Sequence, residues 1–406
     1  MVKIAILGFG TVGSGVYEII KNNAVNISKK AGQEIEIKYI LDIRDFSSHP
    51  ESHLFTNDFT KILKDDEVGV VVETMGGLHP AYEFTKSSLE AGKNAVTSNK
   101  ELVATYGPEL LEIAYDNNVN YLFEASVGGG IPIIRPIHQC LAANNIKRIT
   151  GILNGTTNYI LTQMFREGKS FDDALSDAQE KGYAERNPAA DVEGFDACRK
   201  IAILSSLASG RQVDYNKIPT EGITKVTLED VKAAGSMGYS IKLIGYADIN
   251  ENSEVFARVS PMAVPNYHML ASVEDVFNAI MVRGDSVSDV MFYGKGAGKL
   301  PTASAVVADV IDSVKHLQKS KRIMWNDTDP DNMISRHCIE GSFIVRTLKD
   351  TDTVLSVMPD AVVRTGDNEQ NTEETVFITP VGLEDDIEAL VNEVGGIISR
   401  IRILPE

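Results

Sequence analysis

Residues 182–200, GYAERNPAADVEGFDACRK, carry the carboxylates Glu185, Asp191, Glu193 and Asp196 and end on Arg199 and Lys200. If 194–207 is helical, Asp196 and Lys200 are i,i+4 neighbours on one face with the acid ahead of the base, and Arg199 is within reach three residues on. On a solvated face such a pair contributes only about 0.5 kcal/mol. The residues before it, however, add Glu185 and Asp191 without lysines to match them. Excess negative charge beside a single lysine suits a substrate that carries an ammonium group. The pattern leaves two readings open, a solvated loop entering a helix or a lysine held among carboxylates for proton transfer. A second lysine lies in Thr97-Ser98-Asn99-Lys100, just after an apolar run at 94–98. It falls where strand ends of a parallel sheet would face a cofactor, or in the first turn of a helix capped by Ser98.

A third constellation, Gly8-Phe9-Gly10-Thr11-Val12-Gly13, follows the apolar run 2–7 and opens the helical run 16–21. The first glycine permits the tight turn, the second lets the backbone approach a pyrophosphate, and the third lets helix and strand pack closely. The phosphates would rest on N–H groups at the helix start. The motif stands in the strand–turn–helix context it requires, so a dinucleotide site is expected. Its sugar selectivity is set near the end of the second strand, where Leu41-Asp42-Ile43-Arg44-Asp45 carries both signals. The acids favour NAD and Arg44 favours NADP; the reading taken is NADP through Arg44, with NAD possible.

The elements that must position these groups follow from periodicity. Apolar runs at 35–41, 68–73, 94–98 and 121–125 alternate with helical patterns such as 81–91 and 108–117. That predicts βαβ units and a parallel, Rossmann-type sheet. After Gly128-Gly129-Gly130-Ile131-Pro132 the pattern changes. Helices are expected at 157–165, 171–181, 197–207 and 302–317, and antiparallel or mixed strands at 242–247, 255–259 and 290–293. Residues 320–336 read as a polar linker. Beyond it, strands at 343–348, 361–365, 375–379 and 398–404 and a helix at 384–394 make a small module. The fold class is therefore α/β: a dinucleotide-binding domain (1–132), an α+β catalytic and dimerisation domain with an open sheet (133–320, with 296–320 returning toward the cofactor domain), a linker (321–340) and a small α+β module (341–406).

Composition narrows the partners. The 406 residues carry a formal net charge of −18. Such a chain repels phosphate backbones and anionic membrane surfaces, so neither nucleic acid nor membrane is an expected partner. No stretch approaches the ~18 apolar residues of a membrane span, and the N-terminus lacks the basic and small-residue flanks of a secretion signal. Cys140, Cys198 and Cys338 are scattered and odd in number, which reads as reduced cysteines in a cytoplasmic protein, each a small core residue. His49 and His53 are spaced i,i+4, but no third ligand is near and no histidine metal site is expected.

Six blocks in order closely resemble the homoserine dehydrogenase family: ILGFGTVGSGV at the start, TSNKELVA at 97–104, EASVGGGIPIIRP at 124–136, GILNGTTNYIL at 151–161, the stretch at 182–200, and GAGKLPTASAVVADV at 296–310. The resemblance covers about residues 1–320. It implies reversible NAD(P)-dependent interconversion of L-homoserine and L-aspartate 4-semialdehyde, a step toward threonine and methionine. It further implies Lys200 as the proton-transfer group, Lys100 as a second active-site lysine, and Glu185, Asp191 and Asp196 as carboxylates that bind the substrate and orient the lysine. Gly298 corresponds to a glycine approaching the nicotinamide, and Ser98 and Lys100 lie on the cofactor side. Glu124 with the carbonyls of Val127, Gly129 and Ile131 corresponds to a monovalent-cation site, taken as sodium. The family also implies a homodimer or larger homo-oligomer. Residues 341–406 resemble an ACT domain with a degenerate first helix, since only 354–358 precedes Pro359, which leaves threonine feedback or plain dimerisation as its role. A non-catalytic sensor would not need Lys100, Glu185, Asp196 and Lys200 together, and the 182–200 block argues against another amino-acid dehydrogenase.

Overall fold

The structure, a computed structural model, describes residues 1–323, 325–326, 332–364 and 374–405. Parts of the expected linker, and Thr365 of the expected 361–365 strand, lie outside the described residues.

The first domain is built on strands β1 (Val2–Leu7), β2 (Ile35–Leu41), β3 (Phe55–Thr56), β4 (Val68–Glu73), β5 (Asn94–Thr97) and β6 (Tyr121–Leu122). They lie parallel in the order β3-β2-β1-β4-β5-β6. Their near-continuous apolar runs follow from burial on both faces. Helices α1 (Thr11–Asn22) and α2 (Ala24–Ala31) join β1 to β2, α3 (Phe59–Leu63) leads to β4, and α4 (Ala81–Glu90) and α5 (Lys100–Asp116) follow β4 and β5. This strand order has its reversal between β1 and β4, so the binding crevice opens at the carboxyl ends of those strands.

The second domain carries β7 (Ile146–Ile152), helices α6 (Gly155–Glu167), α7 (Phe171–Glu180), α8 (Ala189–Val192), α9 (Phe195–Ser209) and α10 (Leu228–Ser236), then β8 (Tyr239–Ile249), β9 (Val255–Pro265), β10 (Phe277–Gly284) and β11 (Ser288–Lys295). The strands pair antiparallel, as expected, and α9 packs on one face through Ile201, Leu204 and neighbouring buried residues. Helix α11 (Lys299–Lys315) returns to the first domain and lies on α1. The contact is so close that a Cβ on Gly15 would meet Lys299 O at 2.8 Å.

The C-terminal segment corrects two expectations. It contains the short pair β12 (Glu340–Gly341) and β16 (Gly382–Leu383), and β13 (Phe343–Thr347), α12 (Thr351–Val357), β14 (Val362–Val363), β15 (Thr375–Ile378), α13 (Glu384–Val394) and β17 (Ile397–Ile403). The first helix, expected to be degenerate with only 354–358 before Pro359, starts earlier, at Thr351, runs over seven residues and is capped by Asp350, whose carboxylate accepts from Thr353 N at 2.8 Å. The order βαββαβ is thereby complete. Nor is the module separate. Strand β17 pairs parallel with β9, joining β11-β10-β7-β8-β9 to β17-β13-β15-β14 in one nine-stranded sheet.

Arginine–carboxylate pairs weld this junction. Arg258 holds Glu384 through both terminal nitrogens, and Arg402 reaches Glu384 at 3.3 Å and Glu221 at 2.7 Å. Arg346 reaches Asp230 at 2.7 Å and Glu374 at 2.8 Å. Of the cysteines only Cys198 is buried; Cys140 and Cys338 are exposed, so they are not the core residues expected, although all three are unpaired.

Candidate active site

At the crevice, Gly8 takes φ +93°, a conformation only glycine adopts readily, and its backbone packs against Met75. A Cβ on Gly13 would fall 1.9 Å from Gly8 O, so the helix start can approach the strand only with glycine there. A Cβ on Gly10 would meet nothing within 4 Å. Gly10 therefore opens the start of α1 to the outside, and the first N–H groups of that helix, from Thr11, Val12 and Gly13, have no partner within it. These residues fit a pyrophosphate. Phe9 plays a different part: its N–H donates to Asp42 at 2.8 Å and its ring sits edge-on to Tyr17, Phe46, His49 and Phe55. Asp42 also receives Arg44 Nε at 2.9 Å and Nη2 at 2.8 Å. The Arg44 side-chain bonds, against some cost of burial, hold the Asp42 carboxyl well below the usual carboxylate range. The two opposing sugar-selectivity signals of the sequence are thus one ion pair beside the glycine loop.

The lysine cluster forms where α5 meets α9. The sequence placed a helix at 108–117, but α5 begins at Lys100 and tolerates Pro108 within it. Its cap is Asn99, not Ser98: the Asn99 amide oxygen accepts from Leu102 N at 3.1 Å, while Ser98 is half-buried just outside the helix. The cap sets Lys100 at the helix start, pointing across to α9. Asp196 lies in the first turn of α9, fully enclosed at 3% exposure. One of its oxygens pairs with Lys100, and the other accepts from Lys200 Nζ at 2.8 Å and from Asn154 Nδ2 at 2.9 Å. Lys200 Nζ donates also to Leu153 O at 2.8 Å. Asn154 bridges onward to Asp191 at 2.7 Å.

The electrostatics are uneven. Burial lowers the Lys200 ammonium, and the charge of Lys100 lowers it further; Asp196 and Asp191 oppose this without cancelling it. Burial would raise Asp196, but the ammonium groups of Lys200 and Lys100 outweigh it and keep the carboxyl ionised. Burial would lower Lys100, yet the attraction of Asp196 leaves it raised. Asp191 is raised by burial and by the neighbouring charge of Asp196. The cluster thus holds one lysine easy to deprotonate, one firmly charged, and an acid at its rim whose one hydrogen-bond donor among the described residues is a neutral amide.

Not every expected residue joins it. Glu185 is exposed in the loop after α7, and among the described residues no hydrogen bond or ion pair links it to the lysines. Glu193 likewise has, among the described residues, no hydrogen bond or ion pair to the lysines. Arg199, left without a role by the sequence, reaches Glu101 at 3.4 Å across the same α5–α9 contact. Sequence reasoning missed Asn154 as a site residue. Its position before Gly155 at a strand–helix junction is an N-cap signal, and its oxygen does accept from Thr157 N at 2.9 Å. The cap frees its amide nitrogen for the two carboxylates.

Between the domains, the Glu124 carboxylate accepts from the N–H groups of Ile133, Ile134 and Arg135 at 2.5, 2.8 and 2.9 Å and from Arg135 Nε at 3.1 Å. Four donors saturate its two oxygens. The Glu124 side chain is therefore a clamp on the turn 133–135 and does not fit as a cation ligand in this arrangement. The adjacent loop is held tightly, with Gly130 N on Lys295 O at 3.1 Å and Gly129 pressed against Gly296. Val127 and Ile131 are buried there. Gly298, at φ +123°, caps α11 on this seam.

A parallel sheet with a glycine-loop crevice, joined to a second domain through a lysine–carboxylate cluster at the α5–α9 contact, defines a nicotinamide-dependent oxidoreductase. Two family models match, "Homoserine dehydrogenase, NAD binding domain" over residues 8–124 and "Homoserine dehydrogenase" over 132–311. A homoserine dehydrogenase of Synechocystis sp. is 46% identical over 319 residues, 77% of this chain and 73% of that protein. The chain belongs to the homoserine dehydrogenase family. Among solved structures, a homoserine dehydrogenase from Thiobacillus denitrificans superposes with a TM-score of 0.88 at 34% identity, covering 99% of this chain and 98% of that one. A hyperthermophilic archaeal homoserine dehydrogenase solved in complex with NADPH superposes at 0.64 with 29% identity, covering 77% and 97%. Among the described residues no helix is long and apolar enough to cross a membrane.

Proposed function

We propose that this protein interconverts L-homoserine and L-aspartate 4-semialdehyde, with Lys200 as proton donor and acceptor and NADP as the preferred cofactor. The observation that carries the reading is the buried Lys200 held by Asp196 and Leu153 O, with Asp196 also paired to Lys100 at the start of the helix that follows β5. The nicotinamide, when bound, supplies or accepts the hydride. Everything else is assigned to the chain. In reduction the charged Lys200 polarises the aldehyde oxygen and gives it a proton as the alkoxide forms. In oxidation a neutral Lys200 takes the hydroxyl proton, and burial favours that form. Asp196 stays ionised and fixes the Lys200 side chain, while Lys100 balances its charge. Asp191, lacking a cationic partner among the described residues, receives the substrate ammonium. With Glu185 exposed and, among the described residues, without a hydrogen bond or ion pair to the lysines, Asp191 carries this role without it.

NADP is favoured because Arg44 stands with its guanidinium exposed beside the start of α1, where it can meet a 2′-phosphate. A monovalent cation, sodium, is assigned to the carbonyls of Val127, Gly129 and Ile131. Hard oxygen donors on a constrained loop suit such an ion, and Glu124 would join through its main-chain oxygen. Its part would be to stiffen the domain seam. Assembly as a homodimer and a cytoplasmic location rest on the resemblance and the unpaired cysteines, and sedimentation measures the former. The decisive experiment is initial rates with aspartate semialdehyde and each of NADPH and NADH, with and without threonine. Oxidation of the cofactor, faster with NADPH, is expected; no turnover with either cofactor would end the proposal. Inhibition by threonine would assign effector binding to the ACT-like module, and constant rates would leave it a docking and dimerisation role.

A further inference from the structure

Glu73 ends β4 at 1% exposure, and among the described residues it has no ion-pair partner. A buried carboxylate without a cation is costly unless hydrogen bonds satisfy it. Here they come from two loops at once. Glu73 Oε1 accepts from Met75 N at 2.7 Å and Gly76 N at 3.3 Å, both in the loop that follows β4. Its Oε2 accepts from Thr97 Oγ1 at 2.5 Å, on the last residue of β5. Thr97 Oγ1 in turn accepts from Asn99 N at 2.9 Å. Asn99 caps α5 and ties back to the first loop through Nδ2 on Gly77 O at 2.6 Å. The next residue is Lys100.

We propose that Glu73 is a positioning residue that sets Lys100 against Asp196 through the relay Glu73–Thr97–Asn99. The inference rests on the reading of Lys100 and Lys200 given above. Thr97 has one hydroxyl hydrogen, which goes to the carboxylate, so its lone pairs face Asn99 N and fix the cap. A carboxylate suits the first position because Met75 N, Gly76 N and Thr97 Oγ1 donate to it and the Asn99 amide bears on it as well. The loop at 74–77 and the helix start at 99–100 are thereby locked to one buried carboxyl group at the carboxyl ends of adjacent strands, whose Glu73 and Thr97 are register partners. Without the relay, α5 could begin in a different orientation and Lys100 would leave Asp196.

The charged groups facing Lys200 are Asp196, Asp191 and Lys100. Lys100 lowers the Lys200 ammonium, so withdrawing it raises that group. Homoserine oxidation needs neutral Lys200, so its rising limb with pH must then move to higher pH. The test compares Thr97→Val, Thr97→Ser, Lys100→Met and the Thr97→Val/Lys100→Met double variant by the pH dependence of kcat for homoserine oxidation, with thermal melting alongside. Thr97→Val should lower kcat, by up to roughly 100-fold if Lys100 shifts by an ångström, and should move the limb upward as Lys100→Met does. The double variant should go no further, and Thr97→Ser, which keeps the hydroxyl, should restore both. Glu73→Gln provides the same comparison should Thr97→Val fail to fold. If Lys100→Met moves the limb while Thr97→Val and Glu73→Gln leave it in place, the relay is overturned and the role of Lys100 stands. If Lys100→Met keeps the parent rate and limb, the reading of the lysine site itself fails.

Discussion

Two clusters of buried charge sit on the same catalytic sheet, and they are made from different cations. At the junction with the C-terminal module, Arg258, Arg346 and Arg402 meet Glu384, Asp230, Glu374 and Glu221. At the α5–α9 contact, Lys100 and Lys200 meet Asp196 and Asp191. Arginine remains charged at any working pH and binds carboxylates in a fixed fork, so the first cluster can only hold shape. Lysine is a single movable point of charge whose proton affinity responds to burial, so the second can exchange a proton. Arg346 is pushed up despite burial, while Lys200 is pulled down. Burial acts on both, but only in the lysine does it yield a group able to work as a base.

The comparison breaks most sharply at Lys200. Lys200→Ala should reduce turnover by roughly 10²–10⁴-fold, the range of general acid–base catalysis, while NADPH binding measured by fluorescence titration stays near the parent value. Near-normal turnover would mean that the lysine cluster is as structural as the arginine one. Conversely, Arg258→Met leaves the buried Glu384 only the longer contact from Arg402 and should cost up to about 3–5 kcal/mol of stability, read by denaturant unfolding. Turnover at a temperature where the variant remains folded should change little. If turnover fell in proportion to Lys200→Ala, the division between shape and chemistry would be wrong. Asp191→Asn sharpens the lysine side. Loss of one charge-assisted contact, about 1.5–3 kcal/mol, should raise KM for homoserine more than it lowers kcat, because Asp191 touches Asn154 and not Lys200. A fall in kcat at constant KM would instead make Asp191 part of the proton path.

The arginine junction was the less legible of the two in sequence. Its partners across the two domains are separated by more than a hundred positions, as with Arg258 and Glu384, and no local spacing marks them. The joining of β17 to β9 is equally non-local, which is why the C-terminal module read as separate. The first helix of that module was discounted on length, but an Asp350 cap and the buried Val354 sustain seven residues. By contrast, the Asp196–Lys200 pair is an i,i+4 feature and the glycine loop is contiguous, so both were visible. Lys100 fell between. Its position on a strand end was readable, but its helix start depends on Asn99 and Thr97 engaging a residue on β4, which no spacing discloses.

The smallest effect expected is at Arg44, and it tests the reading of the cofactor crevice. Sequence offered Asp42 and Arg44 as rival signals, yet they form one pair, with Asp42 also fixing Phe9 N. If the guanidinium meets a 2′-phosphate, it does so while still neutralising Asp42. Arg44→Ala would then act twice on NADPH, removing a cation and exposing a carboxylate that stays ionised through its bond from Phe9. Because Arg44 is exposed, salt screens both effects. A rise of about tenfold in KM for NADPH is expected at low ionic strength, shrinking as salt is added, with KM for NADH unchanged since that cofactor has no phosphate to repel. An equal rise for both cofactors would show that Arg44 serves only to hold Asp42 and the glycine loop, leaving the choice of nicotinamide to some other residue of the crevice.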